Sequence, residues 1–195
     1  ANKLDFDYKK LTSNGLKKVI TFLKEHPQII DLSLCDTNLQ TEAIKTLSIF
    51  LKNSNIETLK IGRVNMDLDL LETLMSSLSK ETSSVTSLAL IADNCGDELI
   101  STIMEYLPKT RIESLNLSGN ELTNKGVRNL TQSVKKLTFL ELSCNEIDDE
   151  GAEILRELLE GSNIECLDLE YNDITKKGSE LFADVSYQTN FDDNL

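Results

Sequence analysis

The stretch Ile112-Glu-Ser-Leu-Asn-Leu-Ser-Gly-Asn-Glu-Leu122 carries the pattern that decides the fold. Its Leu115 and Leu117 are two residues apart, so their side chains share one face of a β-strand. Similar pairs recur through the chain, and they are Leu4/Phe6, Leu32/Leu34, Leu59/Ile61, Leu88/Leu90, Leu140/Leu142 and Leu167/Leu169. The first members of successive pairs are 28, 27, 29, 27, 25 and 27 residues apart. A nearly fixed period of this kind indicates a repeat architecture.

Each pair is followed by apolar residues at helical spacing. Fifteen residues after the first member stand Val19, Leu47, Leu74, Ile103, Leu130, Leu155 and Phe182, and four residues further on stand Leu23, Leu51, Leu78, Leu107, Val134, Leu159 and Ser186. Steps of four place these side chains on one stripe of a helix. Each unit is therefore a strand, a turn and a helix, and it buries its apolar face only by stacking on its neighbours.

The pattern LxxLxLxxNxL, seen in full at 112–122, resembles the leucine-rich repeats. Units of about 27 residues with a full helix are similar to the ribonuclease-inhibitor-like subclass, which also supplies the sensor regions of NOD-like receptors and the Ran GTPase-activating proteins. The resemblance covers nearly the whole chain. It implies an α/β solenoid of about seven repeats, a horseshoe with a parallel sheet on its concave face and helices on its convex face.

We expect one repeat domain over residues 1–186, with units starting near residues 1, 29, 56, 85, 112, 137 and 164. Residues 187–195 leave the repeat register and are polar. This tail is expected to be the remnant of a cap that frays, or alternatively a binding tail.

The position five residues after the first leucine should carry a side chain that bonds the loop backbone. Asn120, Asn145 and Asn172 suit this role, whereas Thr37 and Asp93 suit it less well. Val64 cannot perform it and Lys9 does not fit. The last three repeats should therefore be the most regular, and the region 62–66 the least regular.

Charge and composition exclude several classes of function. With 20 Lys and Arg against 33 Asp and Glu, the net charge of −13 argues against binding nucleic acid or anionic membranes. It suits either a basic partner or a solvated acidic surface. No apolar stretch is long enough to span a bilayer, no signal peptide is visible, and the four scattered cysteines suit a reducing compartment. We therefore expect a cytoplasmic protein. A richness in Lys and Asn and the short array also suit an effector delivered into a host cytosol by an intracellular bacterium.

Residues that flank each leucine pair should point away from the core and line the concave face. At its C-terminal end this face combines Phe139 and Tyr171 with Glu141, Asp168 and Glu170. Aromatic rings beside carboxylates are typical of a binding hot spot for a basic protein. We add Asn116, Asp31 and Lys60 from the same face to the candidate partner-binding residues. The alternative is that these polar residues only keep an open surface hydrated.

The sequence predicts no catalysis. It has a single histidine, His26, and no glycine-rich phosphate loop. Its acidic clusters, such as 148–150, fall at predicted helix starts, where carboxylates suit the helix dipole, so we expect neither a metal nor a cofactor. The favoured function is a monomeric protein-interaction module. The alternative, implied by the resemblance to Ran GTPase-activating proteins, is a regulator of a small GTPase.

Overall fold

Strands and helices alternate along residues 2–195, the part of the chain that the computed structural model describes. The strands are β1 (Lys3–Asp5), β2 (Asp31–Cys35), β3 (Thr58–Gly62), β4 (Ser87–Ile91), β5 (Ser114–Asn116), β6 (Phe139–Glu141), β7 (Cys166–Asp168) and β8 (Gln188–Asn190). The α-helices are α1 (Ser13–Glu25), α2 (Thr41–Leu51), α3 (Leu68–Ser76), α4 (Gly96–Tyr106), α5 (Asn124–Arg128), α6 (Asp149–Leu158) and α7 (Lys176–Glu180). Short 3₁₀ helices at Leu107–Lys109 and Gln132–Lys136 complete the fourth and fifth units.

All eight strands pair in parallel, each with its neighbour in the sequence, and form one open sheet. The register aligns the first leucines of the pairs, since Leu32 lies opposite Leu59, Leu59 opposite Leu88, and so on through Leu167. These leucines are fully or almost fully buried between the sheet and the helices. The predicted α/β leucine-rich-repeat solenoid, with its sheet on the concave face, is confirmed.

Every unit leaves its strand through the same left-handed turn. Four residues after the first leucine the backbone φ is positive at Tyr8, Asp36, Arg63, Ala92, Gly119, Cys144 and Tyr171, with values between 51° and 71°. Only Gly119 is a glycine, the residue that adopts this conformation without steric cost. Arg63 follows the same rule, so the irregularity expected at 62–66 does not extend to this turn.

The asparagine ladder appears where the sequence predicts it. Asn120 accepts hydrogen bonds at Oδ1 from the backbone N–H groups of Asp93 (2.9 Å) and Cys95 (3.3 Å), and its Nδ2 donates to the Leu90 carbonyl at 2.6 Å. Asn145 repeats this arrangement in the next unit, and Asn172 accepts from the N–H of Ile147 and donates to the Leu142 carbonyl. The ladder satisfies buried backbone groups as the chain leaves each strand.

A second ladder, which we call the outer ladder, joins the helix starts through Asp97, Asn124 and Asp149. Asp97 accepts from the backbone N–H of Thr123 at 2.9 Å and from its hydroxyl at 2.6 Å, and Asp149 makes the matching bonds to Thr175 at 2.8 and 2.6 Å. Asn124 continues the series by accepting from the N–H of Asp148 at 3.2 Å. These side chains therefore hold the next unit in place and do more than complement a helix dipole.

The C-terminal tail contributes a strand to the sheet, which the repeat pattern did not predict. Residues 188–190 form β8, which pairs with β7 and places Gln188 opposite Cys166. Behind the strand, Phe191 packs 5.5 Å from the ring of Phe182, and Tyr187 packs 6.5 Å from it. The strand and its two aromatic rings cover the end of the core. Within residues 2–195, no helix has the length and apolar character needed to cross a membrane.

Candidate protein-binding surface

Strand register brings the predicted C-terminal residues together. Asn116 on β5 lies opposite Glu141 on β6, and Glu141 lies opposite Asp168 on β7. Neighbouring strands are about 4.8 Å apart, so the two carboxylate-bearing side chains stand side by side. We call Phe139, Glu141, Asp168, Glu170 and Tyr171 the C-terminal patch.

Glu141 occupies the middle of the C-terminal patch and is half-buried. Its Oε2 accepts a hydrogen bond from Nδ2 of Asn116. Burial raises the pKa of Glu141 above its ordinary value, and the charge of Asp168 raises it further, while Lys60 opposes both effects. Placing two carboxylates in register costs electrostatic free energy, which a cation lying between them would relieve.

Asp168 and Glu170 continue the acidic surface toward the end of the sheet. Asp168 accepts the N–H of Glu170 at Oδ1 (2.9 Å) and faces Nδ2 of Asn190 at Oδ2 (3.5 Å). The charge of Asp168 is the main cause of the raised pKa of Glu170; burial, Asp193 and Asp192 add to it.

Sequence reasoning missed the contribution of the tail to this surface. Asp192 accepts a 2.6 Å hydrogen bond from the N–H of Tyr171, which fixes the tail beside the C-terminal patch. The strand that carries it was not recognisable, because Thr189 stands opposite Leu167, where the repeat pattern calls for a leucine. The acidic pair at 192–193 was visible, but without the strand nothing indicated where it lies.

Two exposed aromatic residues flank the carboxylates. Phe139 is 44% exposed at the start of β6, and Tyr171 is 68% exposed in the left-handed turn that follows β7. Exposed aromatic side chains supply large apolar area at low conformational entropy cost when a partner covers them. The C-terminal patch therefore has both the charge and the apolar contacts that a protein interface needs.

Three carboxylates at the N-terminal end of the sheet form ion pairs within the protein. Asp5 pairs with Lys3 at 3.2 Å, Asp7 with Lys60 at 3.7 Å, and Asp36 with Arg63 at 3.7 Å. By contrast, no Lys or Arg nitrogen described in the chain lies within 4.0 Å of a carboxylate oxygen of Glu141, Asp168 or Glu170. The C-terminal patch thus differs electrostatically from the N-terminal end of the sheet, where these three carboxylates are paired.

The expected row of free concave side chains is interrupted near the N-terminal end. Ser33 and Cys35 are buried, because Asp7 folds over them and accepts from the Ser33 hydroxyl at 2.7 Å and from the Cys35 N–H at 2.8 Å. Gly62 is also buried, against the sulfur of Cys35. These three positions do not line an open surface.

Two predicted site residues lie apart from the C-terminal patch. Asp31 is on β2 and Lys60 on β3, three or more strands from Glu141, a separation of roughly 15–20 Å. Lys60 forms an ion pair with Asp7. They do not share a contact surface with Phe139, and their role in binding stays a prediction.

The histidine and the acidic clusters have local structural partners. His26 stacks on Phe22 with ring centroids 3.9 Å apart, and its Nδ1 lies 2.8 Å from the Phe22 carbonyl oxygen. Residues 2–195 contain no group of three or more His, Cys, Asp or Glu side chains arranged to hold a metal ion.

The parallel sheet, the repeating turn and the asparagine ladder give the chain a leucine-rich-repeat fold that is similar to the ribonuclease-inhibitor-like subclass. The family model described as Leucine Rich repeat matches residues 110–130, 135–155 and 162–183, the units that contain the three ladder asparagines.

Two mouse proteins are similar to the chain. The NACHT, LRR and PYD domains-containing protein 14 is 28% identical over 71% of the chain, and the ribonuclease inhibitor is 26% identical over 94%. The aligned parts span 15% and 42% of these relatives, so the chain corresponds to a minor part of each.

Proposed function

We propose that the protein is a non-catalytic interaction module that binds a basic surface of a protein partner with its C-terminal patch. The single observation that carries the proposal is the side-by-side placement of Glu141 and Asp168 without a pairing cation, between exposed Phe139 and Tyr171. A lysine or arginine of a partner would relieve the repulsion between the carboxylates, while the rings supply buried apolar area.

The relatives support the general role. One similar protein is named for inhibiting ribonuclease, which is an action of a repeat protein on another protein. The similarity covers 42% of the length of that relative. We therefore treat ribonuclease as one candidate partner among several basic proteins.

Charge reversal at the C-terminal patch tests the proposal. We would measure equilibrium binding of the wild type and of Glu141→Lys/Asp168→Lys to a panel of small basic proteins that includes a pancreatic-type ribonuclease. The matched control is Glu153→Lys/Glu157→Lys, which makes the same change in net charge on α6, away from the sheet. Circular dichroism would verify that all three proteins fold.

We expect the patch variant to lose at least about tenfold in affinity for a panel member, while the control changes by less than about threefold. Equal losses in both variants would show that net charge alone drives binding and would overturn the assignment. Failure of every basic protein to bind the wild type would overturn the basic partner.

The same proposal includes the oligomeric state and the location of the protein. The protein is a monomer that acts in the cytosol, either of its own cell or of a host into which it is delivered as an effector. Regulation of a small GTPase is the alternative function. Measuring GTP hydrolysis by a panel of small GTPases, with and without the protein, separates the two functions. Faster hydrolysis with any member would favour the alternative.

A further inference from the structure

A cluster of basic residues lies on the edge of the solenoid where the strands begin. Lys80 precedes β4, Lys109 and Arg111 precede β5, and Lys136 precedes β6. The loops that carry them touch one another, since the N–H of Lys80 donates to the Lys109 carbonyl at 2.8 Å and Nε of Arg111 donates to the Lys80 carbonyl at 3.0 Å. We call these four residues the basic edge.

In a chain of net charge −13, the basic edge brings together four cations that form no ion pair with a described carboxylate. Seven other Lys and Arg residues form ion pairs, whereas none of these four has a carboxylate oxygen within 4.0 Å among residues 2–195. Burial lowers the pKa of Lys136, and the nearby charge of Lys80 also lowers it, while Glu113 opposes both. The like charges therefore repel one another, and a bound anion would relieve that repulsion.

Three of the four cations are held in place by the fold. The Lys136 ammonium donates to the Thr110 carbonyl at 2.9 Å, and Lys109 lies 5.2 Å above the ring of Tyr106. The Nε contact fixes the Arg111 guanidinium, and its two Nη groups donate to no acceptor within the described chain. A guanidinium that is anchored by Nε and free at Nη presents two parallel donors, the geometry that suits a carboxylate or phosphate group.

The surroundings of Arg111 indicate the size and type of the anion. A shallow depression beside it is lined by Lys80, Thr82, Ser84, Glu57 and Glu81. The hydroxyl groups can donate to an oxyanion, but the two glutamates repel any continuous polyanion. This mixture favours separate anionic side chains on a protein segment over a nucleic acid backbone or an anionic membrane.

We propose that the basic edge binds an acidic segment of another protein, with one carboxylate or phosphate group held by Arg111 and Lys80 and neighbouring anionic groups near Lys109 and Lys136. This surface shares no residue with the C-terminal patch, so one solenoid could contact a basic and an acidic protein surface.

Fluorescence anisotropy of two labelled peptides at low ionic strength tests the proposal. One peptide carries glutamates separated by neutral residues, and the other has the same length with phosphoserines at the same positions. The variant is Lys80→Gln/Arg111→Gln, and the matched control is Lys17→Gln/Lys18→Gln, two exposed lysines of α1 with the same charge change. Glu141→Lys/Asp168→Lys is measured in parallel to separate this site from the C-terminal patch.

We expect at least one peptide to bind, the basic-edge variant to lose at least about tenfold in affinity, and the α1 control to lose less than about twofold. The peptide that binds more tightly identifies carboxylate or phosphate as the preferred group. Retained peptide binding by the patch variant would support the basic edge even if the C-terminal patch has no partner. Equal losses in variant and control, or binding of duplex DNA or phosphatidylserine vesicles without binding of either peptide, would overturn the proposal.

Discussion

Asp93 accepts a 2.8 Å hydrogen bond at Oδ1 from the backbone N–H of Val64, while its Oδ2 is buried without a hydrogen-bond partner in the described chain. Asp93 stands in the ladder position that Asn120 fills in the next unit, where the matching Nδ2 donates to the Leu90 carbonyl. A carboxylate oxygen cannot donate in this way unless it is protonated. Burial accordingly raises the pKa of Asp93 to about 7.

Replacing Asp93 by Asn should stabilise the fold and remove a pH dependence. Because the pKa of Asp93 is raised on folding, the folded state holds its proton more tightly, and stability falls as pH rises from about 4 to about 7. Above that range the loss is complete, and we expect Asp93→Asn to raise the free energy of unfolding at pH 8 by on the order of 3 kcal/mol.

Urea unfolding of both proteins at pH 5 and pH 8 measures this effect. The advantage of Asp93→Asn should grow with pH across this range. If Asp93→Asn were no more stable than the wild type, or more stable by the same amount at both pH values, the result would contradict a protonated Asp93 in the folded protein.

A glycine substitution in one of the left-handed turns should not destabilise the fold. Ala92 has φ +51° in the turn after β4, where glycine avoids a steric cost of about 1 kcal/mol. Ala92→Gly should therefore be neutral or stabilising. Ala89→Gly, within β4 three residues earlier, should be destabilising by about 0.5–1 kcal/mol, since it loosens a strand without relieving strain. Thermal unfolding of the two variants compares them directly, and a larger loss at Ala92 than at Ala89 would be the contrary result.

The outer ladder predicts which glycines are required. A Cβ at Gly151 would overlap Oδ1 of Asn124 and come within 2.6 Å of Cγ2 of Ile147, so Gly151→Ala should cost about 2 kcal/mol of stability. Gly15→Ala is the control. There the added carbon meets the flexible end of Leu11 at 3.0 Å, and the gain in helix propensity offsets the crowding. Equal stability of the two variants in chemical denaturation would argue against the outer ladder.

The raised pKa of Glu141 predicts how binding depends on pH. Its carboxylate becomes neutral at a higher pH than an ordinary glutamate, so binding of a basic partner should begin to weaken at a higher pH than an ordinary glutamate would cause. Titration of the partner at several pH values, with Glu141→Gln as the comparison, measures this loss. Glu141→Gln should bind more weakly at neutral pH and lose less on acidification. If the affinities of the wild type and Glu141→Gln fell in parallel with pH, groups other than Glu141 would cause the pH dependence.

The fold could be predicted from the sequence because each unit repeats the same physical requirement. Leu115 and Leu140 bury the same face in successive units, and Asn120 and Asn145 satisfy the same turn, so one well-formed repeat identifies the others. The outer ladder was visible in principle, since Asp97, Asn124 and Asp149 each precede a glycine in the next unit. The structural role of these three side chains could not be predicted, because the sequence does not show which of them lies over which glycine.

The site could be predicted only in part. Strand alternation placed Glu141 and Asp168 on the concave face, but it could not show that Asp7 folds over Ser33 and pairs with Lys60. Such contacts depend on side-chain rotamers and on partners in other units. The basic edge was missed for a similar reason, because Lys80 and Arg111 are far apart in sequence and become neighbours only when the units stack.

The most direct test of the central claim is the association rate constant of the tightest-binding basic protein from the panel, measured by stopped-flow fluorescence over a range of salt concentrations. If the C-terminal patch steers a basic partner, the wild-type rate should fall steeply with salt, and Glu141→Lys/Asp168→Lys should associate more slowly with a shallower salt dependence. Glu153→Lys/Glu157→Lys should stay close to the wild type. Identical rates and salt slopes for the wild type and the patch variant would contradict the account.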